Sequence, residues 1–260
     1  MKIIIIILCL SLNAAAFSQE TQFPLRAQYP DVPVVERATL YDHYTNDSAI
    51  IVDVRSGYEF NVLRIKNAQH ISVTNQGFIP SLKKLRQESS LPIIFYCNGI
   101  TCAKSYKASK KALEGGISNV FTFDLGIFGW TKAYPDAAEL LGESPVPQDK
   151  LISKADLEAR MLPPAEFEAK LKRTSSKEML VLDLREPFQR KDKILETYTR
   201  AITTSRIDAA LKLAKVNNKT LFIYDAVGKQ VRWVQYAIEK SGYNDYYFMK
   251  GGVKAYMGKI

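Results

Sequence analysis

The chain has 260 residues, enough for one large domain or two ordinary ones. Hydrophobic residues make up 47% and charged residues 24%, with only 13 Gly and 11 Pro. That composition excludes a disordered chain, a collagen-like repeat and a polytopic membrane protein. Lys and Arg total 36 against 27 acids, a net charge of +9. No Lys/Arg block or basic helix interleaved with aromatics stands out, so no nucleic-acid partner is expected. Solvated basic faces that favour small anionic substrates fit better.

Residues 1–18 read as a secretory signal peptide. Lys2 gives the positive start, Ile3 to Leu12 the apolar core, and Asn13-Ala14-Ala15-Ala16-Phe17-Ser18 the small-residue end. The apolar run is too short to span a membrane. Cleavage after Ser18 or Ala16 gives an exported protein, periplasmic or secreted, with no membrane attachment afterwards. Cys9 follows Leu8 inside the apolar core, so it is not read as a lipid-attachment site. Cleavage removes Lys2 and Cys9, taking the net charge from +9 to +8 and leaving Cys97 and Cys102. Two cysteines in an oxidising compartment are too few for a disulfide scaffold. His43 and His70 are the only histidines, which excludes a multi-histidine metal site. No metal and no organic cofactor is expected.

Residues 19–37 look like a loose leader. Leu40 to Tyr44 has helical spacing. Ala49 to Arg55 is a short, β-branched, nearly unbroken apolar run, the pattern of a strand buried on both faces. Pro92 to Tyr96 is a second such strand. Lys104 to Leu113 is helical and stops at Gly115-Gly116, a helix-ending signal. Asn119 to Phe123 is a third strand. Ser144-Pro145-Val146-Pro147 gives residues 144–150 the composition of a linker.

The second half replays this order. Met179 to Arg185 matches the first strand, Thr220 to Tyr224 the second, Val231 to Lys240 the helix and Tyr246 to Phe248 the third strand. Asp183 follows Asp53 by 130 residues, Asp225 follows Cys97 by 128, and Gly242 follows Gly116 by 126. So steady an offset argues for duplication, with two extra residues in the turn after Cys97. Strands alternating with helices predict an α/β fold. Two domains are expected, 38–143 and 151–260, each a central, mainly parallel sheet flanked by helices.

Ligands of open parallel sheets bind beyond the carboxyl ends of the strands. Cys97 is the first residue past such an end. Asn98, Gly99, Ile100, Thr101, Cys102, Ala103 and Lys104 then turn into a helix N-terminus. Backbone N–H groups of such a turn form a cradle that holds an anion and lowers a thiol pKa. A thiolate there is a nucleophile; the bland alternative is an inert buried cysteine. No histidine lies in the turn, which argues against a Cys-His hydrolase. Trp130, Trp233 and the tyrosines read as packing residues, and His70 as a structural histidine.

Several motifs now carry a resemblance. Asp53-Val54-Arg55 with Tyr58-Glu59-Phe60, Ile93-Ile94-Phe95-Tyr96-Cys97, and Gly126-Ile127-Phe128-Gly129-Trp130 with Ala133-Tyr134-Pro135 resemble the motifs of rhodanese-like sulfurtransferases. Leu182 to Phe188 and Lys250 to Tyr256 repeat both ends, so the chain resembles a tandem rhodanese. The resemblance implies that Cys97 takes a sulfane sulfur from a small anionic donor such as thiosulfate, forming a persulfide. The sulfur then passes to a thiol or cyanide acceptor. Asn98 to Lys104 would bind substrate through their amides, and Lys104 would attract the donor. Asp53 and Arg55 would hold the fold together.

Asp225 stands where the first copy has Cys97, and a carboxylate cannot form a persulfide, so the second domain reads as inactive. The first loop also departs from the family pattern. Its first basic residue is Lys104, seven after Cys97, where the family has an Arg closer in. The related dual-specificity phosphatases also use a longer loop but keep an Arg, so phosphatase activity is not expected. The Cys-Asn-Gly-x-x-Cys pattern resembles an exported subgroup associated with quinoprotein-dependent catabolism. That subgroup shows Pro and Trp where this chain has Ile100 and Ala103. Cys102 is either a resolving thiol, which would call for a thioredoxin-like reductant, or a space-filling residue. The rival functions are a thiol–disulfide or persulfide redox protein using Cys97 and Cys102, and a non-catalytic binding module.

Overall fold

The structure, a computed structural model, describes residues 23–195 and 199–258. The signal-peptide reading falls on residues outside that range. The chain divides between Val146 and Pro147 into two compact units.

The first unit runs α1 (Arg37–Thr45), β1 (Ile50–Asp53), α2 (Gly57–Val62), β2 (Leu63–Ile65), β3 (Gln69–His70), α3 (Phe78–Glu88), β4 (Ile93–Tyr96), α4 (Lys104–Glu114), β5 (Val120–Phe123), α5 (Gly126–Ala133) and β6 (Ala138–Leu140). Its main sheet has the order β3-β1-β4-β5, and every pairing is parallel. β2 and β6 form a separate antiparallel pair. Every residue of β4 is buried, as are Ile51 to Asp53 of β1. This is why the two strands read as unbroken apolar runs rather than alternating ones. Val52, Val54, Phe78, Leu82, Ile93 and Phe95 pack into one core cluster that also takes in Cys97. Each large aliphatic or aromatic side chain so buried contributes about 1.5–3 kcal/mol.

The second unit runs α6 (Lys154–Glu158), β7 (Met161–Leu162), α7 (Pro164–Arg173), β8 (Met179–Asp183), β9 (Thr199–Ala201), α8 (Ile207–Val216), β10 (Thr220–Tyr224), α9 (Val231–Lys240), β11 (Tyr246–Met249) and α10 (Gly252–Tyr256). Its five strands lie in the order β7-β11-β10-β8-β9, again all parallel. The fold is α/β, with parallel sheets flanked by helices. β7 has a counterpart in the first unit, where Val34 makes a parallel bridge to Thr122 of β5. The two sheets therefore share one strand order.

That bridge corrects the reading of residues 19–37 as a loose leader, as far as they are described. Phe23, Val32 and Val35 are buried. Arg26 pairs with the buried carboxylate of Asp124 at 2.8 Å, and the Tyr106 hydroxyl donates to the same carboxylate at 2.6 Å.

Candidate functional site

The site lies where β4 ends. Asp53, at the end of neighbouring β1, and Arg55, two residues on, are both fully buried. Arg55 grips Asp53 through Nε (2.9 and 3.0 Å) and Nη2 (2.5 Å). Burial opposes the guanidinium charge, but Asp53 outweighs it and raises the Arg55 pKa. Arg55 Nη1 then donates to the side-chain oxygen of Asn98, the first residue of the loop after Cys97, at 3.1 Å. The structural role expected for Asp53 and Arg55 thus extends into the loop. His70, on β3, contacts the Arg55 carbonyl through Nε2 at 3.0 Å.

Glu59 completes the anchorage. Ser56 caps α2: its hydroxyl accepts from the Glu59 amide, and Glu59 accepts in return from the Ser56 amide. This holds the Glu59 carboxylate at the loop. It accepts from Asn98 Nδ2 at 2.9 Å and from Lys104 Nζ at 3.2 Å, so one carboxylate clamps both ends of the segment 98–104. Burial would raise the Glu59 pKa, but Lys104, Arg55 and the hydrogen bonds from Asn98 and Ser56 pull it down to about 2. The sequence reading overlooked Glu59 as a site residue, although the spacing Ser56-x-x-Glu59 is a capping-box signal. Lys104, expected to attract an anionic donor, pairs with Glu59 at 3.2 Å.

Between the clamps, the Cys102 amide donates to the Gly99 carbonyl at 2.8 Å and folds the loop back over Cys97. Ile100 and Thr101 form its exposed crest. The Cys97 thiol is fully buried and donates to the Cys102 carbonyl at 2.9 Å, with Ser105 Oγ 3.4 Å away. Burial pushes its pKa well up, pairing with Cys102 adds to this, and the Ser105 hydroxyl and amide oppose it. Cys102 is half-buried, and both thiols are free. Its pKa is lowered to about 6, first by the hydrogen bond from Cys97; burial opposes this, and the amides of Asn98 and Lys104 with the Lys104 charge assist. The expected low-pKa thiolate is therefore present, but on Cys102 rather than Cys97. The expected cradle over Asn98 to Lys104 is built in part: the amides of 98 and 104 face the Cys102 sulfur, while that of Cys102 is used inside the turn. Ala103 serves as the cap of α4. Ser105, which the sequence reading passed over, lies against Cys97.

A glycine presses this loop into place. Gly126 opens α5 with φ +59°, and a Cβ there would lie 2.4 Å from Gly99 N and 2.5 Å from the Cys97 carbonyl oxygen. The Ile127 amide donates to that same carbonyl at 2.9 Å. Gly252 does the same in the second unit: φ is +59°, a Cβ would lie 2.3 Å from the Asp225 carbonyl oxygen, and the Val253 amide donates to that oxygen at 2.9 Å.

Asp225 occupies the end of β10. Its carboxylate accepts from the amides of Val227 (2.8 Å), Gly228, Gln230 (2.5 Å) and Val231 (3.2 Å). The second loop is thus a complete amide cradle filled by the chain's own carboxylate. Among the described residues no three His, Cys, Asp or Glu side chains come together as a metal site, and no helix is long and apolar enough to cross a membrane.

Residues 36–133 match the Rhodanese-like domain family model. A tRNA uridine(34) hydroxylase of Cytophaga hutchinsonii is 37% identical over 83 residues, which is 31% of this chain and 26% of the relative. The match thus spans about a quarter of that curated protein's length. Among solved structures, a thiosulfate sulfurtransferase from Pseudomonas aeruginosa is 20% identical with a TM-score of 0.39, covering 87% of this chain and 44% of that one. A Bacillus halodurans protein is 22% identical with a TM-score of 0.39, covering 52% of this chain and 93% of that one. The matched residues 36–133 lie within the first unit, and the thiol loop lies inside them.

Proposed function

We propose that the first unit is a sulfurtransferase. It moves a sulfane sulfur from thiosulfate or a similar small anion to cyanide or a thiol, carrying it as a persulfide on Cys97. The observation that carries this reading is the pair of free thiols in one loop at the carboxyl end of β4, with Cys97 buried against the Cys102 carbonyl at 2.9 Å. Loading requires the proton to leave Cys97, and the adjacent Cys102 thiolate is the base at hand. Cys97 sulfur attacks the outer sulfur of thiosulfate, the donor S–S bond breaks and sulfite departs. The charge then rests on the persulfide, beside the Ser105 hydroxyl and amide.

The second unit we read as a silent copy of the same domain. The shared strand order and the paired contacts of Gly126 and Gly252 support this, and Asp225 has no sulfur to offer. The apolar run after Lys2 supports export to the periplasm or beyond, which N-terminal sequencing of the mature protein checks.

The test is turnover of thiosulfate with a dithiol as acceptor. Sulfite and sulfide are expected to form catalytically, and Cys97→Ser should slow both by more than about a hundredfold. A wild type no faster than Cys97→Ser overturns the reading.

A further inference from the structure

Cys102 is more than a base. Once sulfur is loaded, it is the thiol nearest to the Cys97 persulfide. The loop is folded back so that the Cys102 carbonyl is 2.9 Å from Cys97 Sγ. The turn that does this, Cys102 N–H to Gly99 O, is closed at 2.8 Å. Its two ends are pinned through Asn98 and Lys104 to one buried carboxylate, Glu59. Cys97 is fully enclosed while Cys102 is half-open, so an outside acceptor meets Cys102 before it meets the carrier. A reaction between neighbours held in one loop has the advantage of proximity over one with a dissolved acceptor.

Resting on the sulfurtransferase reading, we propose that Cys102 resolves the Cys97 persulfide, so that the loop releases hydrosulfide and closes as a Cys97–Cys102 disulfide. The Cys102 sulfur attacks the inner sulfur, Cys97 Sγ. The bond between Cys97 Sγ and the carried sulfur breaks, and the proton on Cys102 leaves with that sulfur as HS⁻. The two cysteine sulfurs together supply two electrons, and the carried sulfur is reduced to sulfide. The enzyme then needs a dithiol reductant, which takes the disulfide through a mixed-disulfide intermediate and restores both thiols. The physiological partner is therefore a protein or small molecule with a reactive dithiol. The second unit cannot take part in this step, because Asp225 replaces the carrier.

The experiment treats anaerobic, fully reduced protein with thiosulfate and no dithiol. It follows sulfite, hydrosulfide and intact mass for wild type, Cys97→Ser and Cys102→Ser, with loading of Cys102→Ser carried to completion at alkaline pH. Sulfite reports loading, whereas hydrosulfide reports resolution. The expected result is one equivalent each of sulfite and hydrosulfide from wild type, which ends two hydrogens lighter with no added sulfur. Cys102→Ser should release sulfite alone and keep one added sulfur. Wild type that keeps its added sulfur as durably as Cys102→Ser, with no hydrosulfide, overturns the inference and leaves the transferase reading standing. Sulfur uptake by Cys97→Ser but not by Cys102→Ser overturns it by reversing the roles. No sulfite from any of the three overturns both.

Discussion

The loop after β4 and the loop after β10 leave their sheets at equivalent strands, and a glycine at the start of the next helix presses on each. They are held in opposite ways. The second loop wraps its own carboxylate, so the N–H groups of residues 227, 228, 230 and 231 are satisfied from within. The first has no such plug. It is tied from outside by side chains, with Arg55 and Glu59 on Asn98 and Glu59 on Lys104. The corresponding arginine of the second unit, Arg185, grips Asp183 in the same way but sends Nη1 to the carbonyls of Gln189 and Asp192 instead. One loop is closed around its own carboxylate, and the other is kept in shape around a thiol. The same turn is thus held in one unit by an internal carboxylate and in the other by clamping side chains.

The sharpest way to break the shared part of the comparison is at the two glycines. Gly126→Ala and Gly252→Ala each put a Cβ into loop backbone and force a left-handed conformation on an L-residue. We expect each to destabilise its own unit by more than about 2 kcal/mol, read as a shift in that unit's denaturant midpoint. Asp225→Asn separates the two loops. It removes the charge that the cradle amides face and should cost the second unit about 1–3 kcal/mol, while sulfite release from thiosulfate stays unchanged. Equal losses in both properties would mean that the loops are not independent.

Titration of the first loop gives the smaller effects. Alkylation of Cys102 by a haloacetamide should be half-maximal at about pH 6, with Cys97 unreactive over the same range. Lys104→Gln removes a charge that favours the Cys102 thiolate, so the midpoint should rise, by less than about one pH unit. The sign for stability follows from the lowered pKa. The Cys102 contribution is complete above its ordinary value of 9.0 and is lost as the pH falls through about 6. A midpoint near the ordinary thiol value would show that neither the Cys97 hydrogen bond nor the loop amides reach the Cys102 sulfur.

The elements of the sheets were legible because burial leaves a plain record. β10 and α9 begin and end where the apolar pattern placed them, at Thr220–Tyr224 and Val231–Lys240. The location of the thiol loop was legible too, since a strand end followed by a helix start is a local pattern. What the loop does with its thiols was not. The set of the loop around Cys97 depends on where Glu59 and Gly126 arrive from distant parts of the chain, and no local spacing encodes that. Asn98 reads in sequence as a loop amide; its side chain, shared between Arg55 and Glu59, is visible only after folding. The β2–β6 pair escaped notice because three-residue strands are too short to show alternation.

The stretch that runs past Pro33 has a consequence for how the first unit behaves among other copies of itself. β5 lies at the rim of its sheet, and there the Thr122 amide donates to the Pro33 carbonyl while the Val35 amide donates to the Thr122 carbonyl, both at 2.9 Å. Phe23, Val32 and Val35 of the same stretch are buried. A fragment begun at residue 36, where the family match starts, keeps every reactive group yet bares that rim. An open strand is a template for a stranger's strand. Solubility would therefore depend on a segment that carries no chemistry at all.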